Sequence, residues 1–295
     1  ALGGVLARAP SEPAIAWIMS ALTVAAGAER DALIGAVGAA TTASGVAALA
    51  QIAHSYEPSD RAASATMTAA HGGDAVAIAT ARALLGDSDA QVRAQAAWSL
   101  GTIGDVSDLA RLSAIVRHSD FDAAVDSAAA IGRICARGAR AARAQTAEAA
   151  LCPLLGDPRA YVRANVLAGL ALASARCESG AIERSRLSSD PSEDVRAAAA
   201  RALDGGPSPE DRRALDRCAA DDPSSTVAAL CRQRPPPPTK TSGVLFYVVP
   251  AESSVPRPAS PYAMRLADGM IHAGTTDRRG AVLDPVAPAG DVTLR

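Results

Sequence analysis

Val92, Ala96, Leu100 and Ile103 fall three and four residues apart, so they share one side of a helix that opens after the turn signals Gly86, Asp87, Ser88 and Asp89. This unit runs from Ala83 to Asp105, and its apolar face is too narrow to make a core alone. Weaker copies follow it. One spans Ser119 to Ile134, and the next, Gly156 to Ala173, carries Asp157, Pro158, Val162, Arg163 and Leu170. A third restates the pattern as Asp190, Pro191, Val195, Arg196 and Leu203, and a truncated last copy holds Asp222, Pro223 and Val227. The equivalent positions Val92, Ala123, Val162, Val195 and Val227 recur every 31 to 39 residues, roughly the period of stacked helical hairpins. Stacking buries the stripe that one copy leaves exposed, so the pattern predicts a mainly α array wound as an α-α superhelix. Upstream, Pro13 suits a first helical turn ahead of Ile15, Ile18, Met19 and Leu22. Further helices are expected over Glu29 to Ala40, over Ser44 to His54, and after Pro58. They are read as drifted repeats by continuity.

The period changes near residue 234. Four successive prolines, Pro235 to Pro238, end helix propagation and predict a stiff extended linker. Beyond them come short strand-like runs: Gly243 to Val249, Tyr262 to Leu266, Met270 to Ala273, Ala281 to Val286 and Asp291 to Leu294. Asp268-Gly269 marks a tight hairpin turn between the second and third. The expected organisation is a helical array over 1–233, with clear repeats over 73–233, a linker over 234–242, and a small β-sandwich module over 243–295.

The turn aspartate followed by Val-Arg, then alanine and leucine at helical spacing, resembles HEAT repeats of the armadillo-like α-solenoid type. In such proteins the turn aspartate and the second-helix arginine pair between neighbouring repeats. The resemblance therefore implies a structural ladder of Asp87, Arg93, Asp157, Arg163, Asp190 and Arg196. The second clear repeat departs from it: His118, Ala123 and Ala124 stand where aspartate, valine and arginine are expected. The tail, through Tyr262, Leu266, Asp268-Gly269, Gly274, Thr276-Asp277-Arg278-Arg279-Gly280 and Pro288-Ala289-Gly290, resembles transthyretin-like and carboxypeptidase-regulatory-like modules. Ala281-Val282 follows the glycine where those modules often carry an aromatic. Similar tails hold cargo on spikes of contractile secretion systems, which implies a role in a bacterial secretion or other multi-protein assembly. Strand edges of so small a module are open to packing on the array or to pairing with a partner.

Composition narrows the function. Apolar residues make up 49% of the 295-residue chain but aromatics only 3%, so alanine carries the count and close helix packing is expected. A net charge of -2 gives no general footprint for nucleic acid. No apolar run reaches the roughly 20 residues of a membrane span. The five cysteines, Cys135, Cys152, Cys177, Cys218 and Cys231, are scattered and odd in number. They are read as buried small apolar residues of a reducing, cytoplasmic protein, with no disulfide framework and no metal site. His54, His71, His118 and His272 lack a catalytic neighbour in sequence and are read as surface or capping residues. No phosphate loop, nucleophile elbow or paired-carboxylate motif is present, so no catalytic, cofactor or metal residue is assigned.

The expected function is a non-catalytic interaction scaffold or adaptor for a protein partner. Its candidate contact residues are Arg133, Arg137, Arg140 and Arg143, a basic cluster at the end of one helix and the start of the next, with His118 and Trp98. For Trp98 a core position is the competing reading. The alternative function is a HEAT-like enzyme of lyase or nucleic-acid-processing type, recognisable by a deep pocket holding an acid or a perturbed basic group.

Overall fold

The computed structural model describes residues 11–139, 142–203, 208–233 and 238–294. Arg140 and the linker residues 234–237 lie outside the described residues. The chain divides into two compact units, and the C-terminal strands contribute to both. Unit 1 is drawn from Ala1–Gly104, Thr241–Ala263 and Ala273–Ala287; unit 2 is drawn from Asp105–Lys240, Met264–His272 and Pro288–Arg295.

Unit 1 holds helices α1 (Glu12–Ala21), α2 (Gly27–Gly38), α3 (Ala43–Ile52), α4 (Pro58–Thr68), α5 (Ala75–Leu84) and α6 (Ala90–Ile103). Proline sits in the first turn of α1 and α4, where no helical hydrogen bond is lost. The side chains of Thr42, Asp74 and Asp89 accept hydrogen bonds from the first free amides of α3, α5 and α6. Odd-numbered helices pack on one another, as do α2, α4 and α6, giving two layers. Between them lie Ile15, Ile18, Leu33, Ile34, Val37, Leu49 and Met67.

Unit 2 repeats the plan with α7 (Leu109–His118), α8 (Phe121–Arg137), α9 (Arg143–Leu151), α10 (Ala160–Ala173), α11 (Ala181–Ser189), α12 (Glu193–Ala202), α13 (Pro209–Asp221) and α14 (Ser225–Arg232). Helix α10 packs between α8 and α12. The approach of α8 to α10 is set by Gly132 and Gly169: a Cβ on Gly169 would lie 2.6 Å from the Cα of Gly132. Small residues on both sides bring the helix axes together, which explains the alanine-rich, aromatic-poor composition.

The strands are β1 (Thr241–Tyr247), β2 (Pro261–Arg265), β3 (Ile271–Thr275), β4 (Ala281–Pro288) and β5 (Thr293–Leu294). Strand β1 pairs with β4, and a second sheet has the order β3-β2-β5, with β2 and β5 antiparallel. At the β2–β3 turn the amide of Gly269 donates to Leu266 and that of Leu266 to Met270, while Gly269 takes a φ of 86°, open to glycine at little cost.

Arginine–aspartate pairs join successive repeats within each unit. In unit 1, Arg30 pairs with Asp60 and Arg61 with Asp87; in unit 2, Arg163 pairs with Asp190 and Arg196 with Asp222. The last three of these arginines also donate from Nη1 to the carbonyls six and five residues earlier, and Arg93 makes the same two bonds to Asp87 and Ser88. The guanidiniums of Arg61, Arg163 and Arg196 therefore each close their own turn and grip the next. Two irregular positions are filled from elsewhere. Ser55 stands at a ladder-aspartate position, and its hydroxyl donates to Asp60, which supplies the carboxylate instead. Where Ala124 replaces the arginine, Arg159 reaches back to the carbonyls of Val116 and Ser119 while pairing with Asp157 at 2.7 Å.

Three sequence expectations are corrected. Cys152 is disulfide-bonded to Cys177 and Cys218 to Cys231, leaving Cys135 as the buried free thiol. Spacing along the chain hid this, because successive helices bring residues 25 and 13 apart in sequence to Cα separations of 5.7 and 6.0 Å. His71 is buried, its Nε2–H donating to the Gly38 carbonyl at 3.0 Å. His272 is buried as well, with Nδ1 2.9 Å from an Asp126 carboxylate oxygen. His54 and His118 are exposed, as expected.

Candidate functional site

Unit 1 contains a pocket of about 310 Å³ walled by α2, α4 and α6 on one side and by the Thr276–Gly280 turn with its flanking strand residues on the other. Its apolar lining includes Ala62, Ala63, Met67, Tyr262, Val282 and Leu283, and its polar lining includes Asp31, Asp89, Gln91, Gln95, Asp277, Arg278 and Arg279. The turn is held by its own aspartate, since Asp277 Oδ1 accepts from the amides of Arg279 and Ala281 at 2.8 Å and Oδ2 accepts from Arg279 Nε. That geometry sends Arg278 toward the helices. Its Nε and Nη2 both donate to Asp31 Oδ1, and Nη2 also donates to Asp60.

The two carboxylates differ in what surrounds them. Asp60 is fully buried but accepts from Arg30, Arg278 and Ser55; burial opposes its ionisation, yet these donors hold it below the usual carboxylate range. Asp31 is 5% exposed, and only its Oδ1 is engaged. Its Oδ2 is buried with no hydrogen-bond partner among the described residues. Burial is the largest influence on Asp31 and lifts it above the usual range despite Arg278.

A second feature of unit 1 is β1. Val244 and Phe246 point inward, whereas Leu245, Tyr247 and, just beyond the strand, Val249 point outward at 50%, 48% and 43% exposure. Strand β1 has β4 on one side and no strand on the other among the described residues.

Residues 46–132 match HEAT repeats. No curated protein matches the sequence. Among solved structures, an engineered protein is similar with a TM-score of 0.51 at 17% identity, over 75% of this chain and 67% of that one. A designed armadillo repeat protein is similar over 74% of this chain and 97% of its own, at 14% identity and a TM-score of 0.42. Human deoxyhypusine hydroxylase in complex with glycerol is similar over 75% and 94%, at 19% identity and a TM-score of 0.40. The helical array is a HEAT-like α-solenoid.

The residues singled out from sequence are not gathered into one site. Trp98 is 2% exposed, and its indole N–H donates to Asp284 at 3.1 Å. Arg133 pairs with Asp268 in the β2–β3 turn. Arg137 ends α8 exposed, Arg143 opens α9 with its Nε buried and without a hydrogen-bond partner among the described residues, and His118 ends α7. What sequence reasoning missed is the pocket. Its one visible signal is Arg278, inside the Thr-Asp-Arg-Arg-Gly turn, since two adjacent arginines exceed what a turn needs. Asp31, between Arg30 and Ala32 in an unmarked helix, carries no such signal.

Proposed function

We propose that this protein is a non-catalytic interaction module that docks a partner protein by strand addition at β1. The observation that carries this reading is the outward row Leu245, Tyr247 and Val249 beside an edge without a neighbouring strand. An edge strand is normally blunted by charge or proline; this one presents apolar side chains in register with open backbone groups. An extended segment of a partner gains main-chain hydrogen bonds along the edge and covers the apolar row. Helical-repeat folds are generally used for protein interaction, and the array here supplies the rigid support on which the edge is displayed. A role in a secretion assembly rests on the tail's resemblance alone. The two disulfides favour an oxidising compartment over the cytoplasmic location expected from cysteine spacing.

The test is photo-crosslinking from position 247 in the native host, followed by mass spectrometry, with Leu245→Lys/Val249→Lys as the control. Both side chains are exposed, so the variant keeps its circular dichroism spectrum. A crosslinked partner that disappears in the variant supports docking at β1, and a partner retained by the variant refutes it. One observation favours the enzyme reading: the pocket holds an acid, Asp31, whose ionisation is disfavoured. It stays second because the neighbouring carboxylate, Asp60, is itself tied up by Arg30, Arg278 and Ser55, and no nucleophile is placed beside Asp31 by the contacts described.

A further inference from the structure

We infer that the pocket of unit 1 binds a small organic cation, its protonated nitrogen donating to Asp31 and its apolar body lying against Met67, Tyr262 and Leu283. The volume, about 310 Å³, is at the lower end of the range for small-molecule sites. A buried carboxylate oxygen without a donor costs free energy that a ligand N–H recovers, and Asp31 Oδ2 is such an atom. Open space one helical turn along from Asp31 is kept by Gly35. Residues 31 and 35 are one helical turn apart on the same face, and a side chain at 35 would lean back over 31. Nothing lies within 4 Å of where a Gly35 Cβ would be, and Gly35 lines the pocket.

Charge selects the sign of the ligand. Arg278 is engaged by Asp31 and Asp60, and Arg279 by Asp277, so neither offers an unshared guanidinium to an anion. Asp31 and Asp89 remain as carboxylates with capacity for a further donor. The apolar wall from Ala62, Ala63 and Met67 to Leu283 excludes a fully hydrated metal ion as the best-fitting occupant and favours an amine on a hydrocarbon or aromatic body.

The same chemistry comes from a free amine or from a lysine or arginine side chain of a protein, and the probes separate the two. Binding of benzylamine, benzyl alcohol and blocked lysine and arginine amides to the full chain is measured by titration calorimetry near neutral pH. Benzylamine is expected to saturate one site, with benzyl alcohol about tenfold weaker or worse for want of the charge. Gly35→Leu fills the open space and is expected to weaken benzylamine by about tenfold or more while leaving the melting temperature intact. Asp31→Asn is expected to weaken it similarly. Tighter binding of the blocked amino acids than of benzylamine assigns the site to a protein side chain; weaker binding assigns it to a free amine. The inference is overturned if none of the cations binds, if benzyl alcohol equals benzylamine, or if Gly35→Leu binds unchanged. None of these results depends on β1.

Discussion

Removing the Arg278 guanidinium isolates one buried charge and spares its neighbour. In Arg278→Ala, Asp60 keeps Arg30 and Ser55, whereas Asp31 loses both hydrogen bonds described for it. Breaking a fully buried pair from one side costs about 3–5 kcal/mol. Arg278 is 27% exposed, so water screens part of the interaction and about 2–3 kcal/mol is the expected loss. The assay is urea unfolding by circular dichroism, with hydrogen exchange of the α2 amides as a local readout. Two controls test the cause. Asp31→Ala in the same chain is expected to restore most of the loss, because no charge is then stranded. The pH dependence has a definite sign. The folded-state pKa of Asp31 already lies above the ordinary 3.8 and rises further without Arg278, so folded protein takes up a proton before unfolded protein does. The deficit of the variant therefore shrinks as pH falls toward the raised folded-state pKa of Asp31. The ladder aspartates Asp87, Asp190 and Asp222 lie below 3.8, so their contribution is complete above that value and is lost only as pH falls beneath it. A loss under about 1 kcal/mol, additivity of the two substitutions, or a deficit that does not shrink on acidification would refute the reasoning.

Three further outcomes follow from the helices. Unfolded without reductant, the chain is expected to release one titratable thiol, from Cys135, whose burial in the folded protein pushes it up to about 11; five thiols would exclude both disulfides. Reduction is expected to lower stability by about 3 kcal/mol per bridge, from the loops each one closes. Gly169→Ala is expected to cost about 1–3 kcal/mol in the same urea assay, since its methyl meets backbone of α8 that has no rotamer to yield; an unchanged midpoint would show that the helices separate freely.

Helix order and strand positions were legible because both rest on local pattern, a period of 3.6 residues in Val92 to Ile103, a β-rich run in Gly243 to Val249 and alternation in Tyr262 to Leu266. Harder to read were features whose members lie far apart along the chain. Asp60 supplies the carboxylate where the ladder position holds Ser55, and Arg159 does the work expected at Ala124, so a search by fixed spacing finds gaps where the folded chain has none. The disulfides were hidden for the same reason. Asp31 is the extreme case: its meaning depends on Arg278, 247 residues away. The basic stretch around Arg133 looked like an outward face because Asp268, its partner, belongs to a turn assigned to a separate module.

Strand β3 is held from the helices by two carboxamides. In unit 1, Gln91 both donates to and accepts from the backbone of Thr275; in unit 2, Asn165 does the same at Ile271. These clamps grip atoms that every amino acid except proline possesses. Mutation can rewrite the side chains of the strand while its anchorage persists, and discrimination between this tail and any other falls to a few charged or indole contacts, Arg278 and Trp98 among them. Such a division lets a lineage change what the tail displays without renegotiating how it is attached.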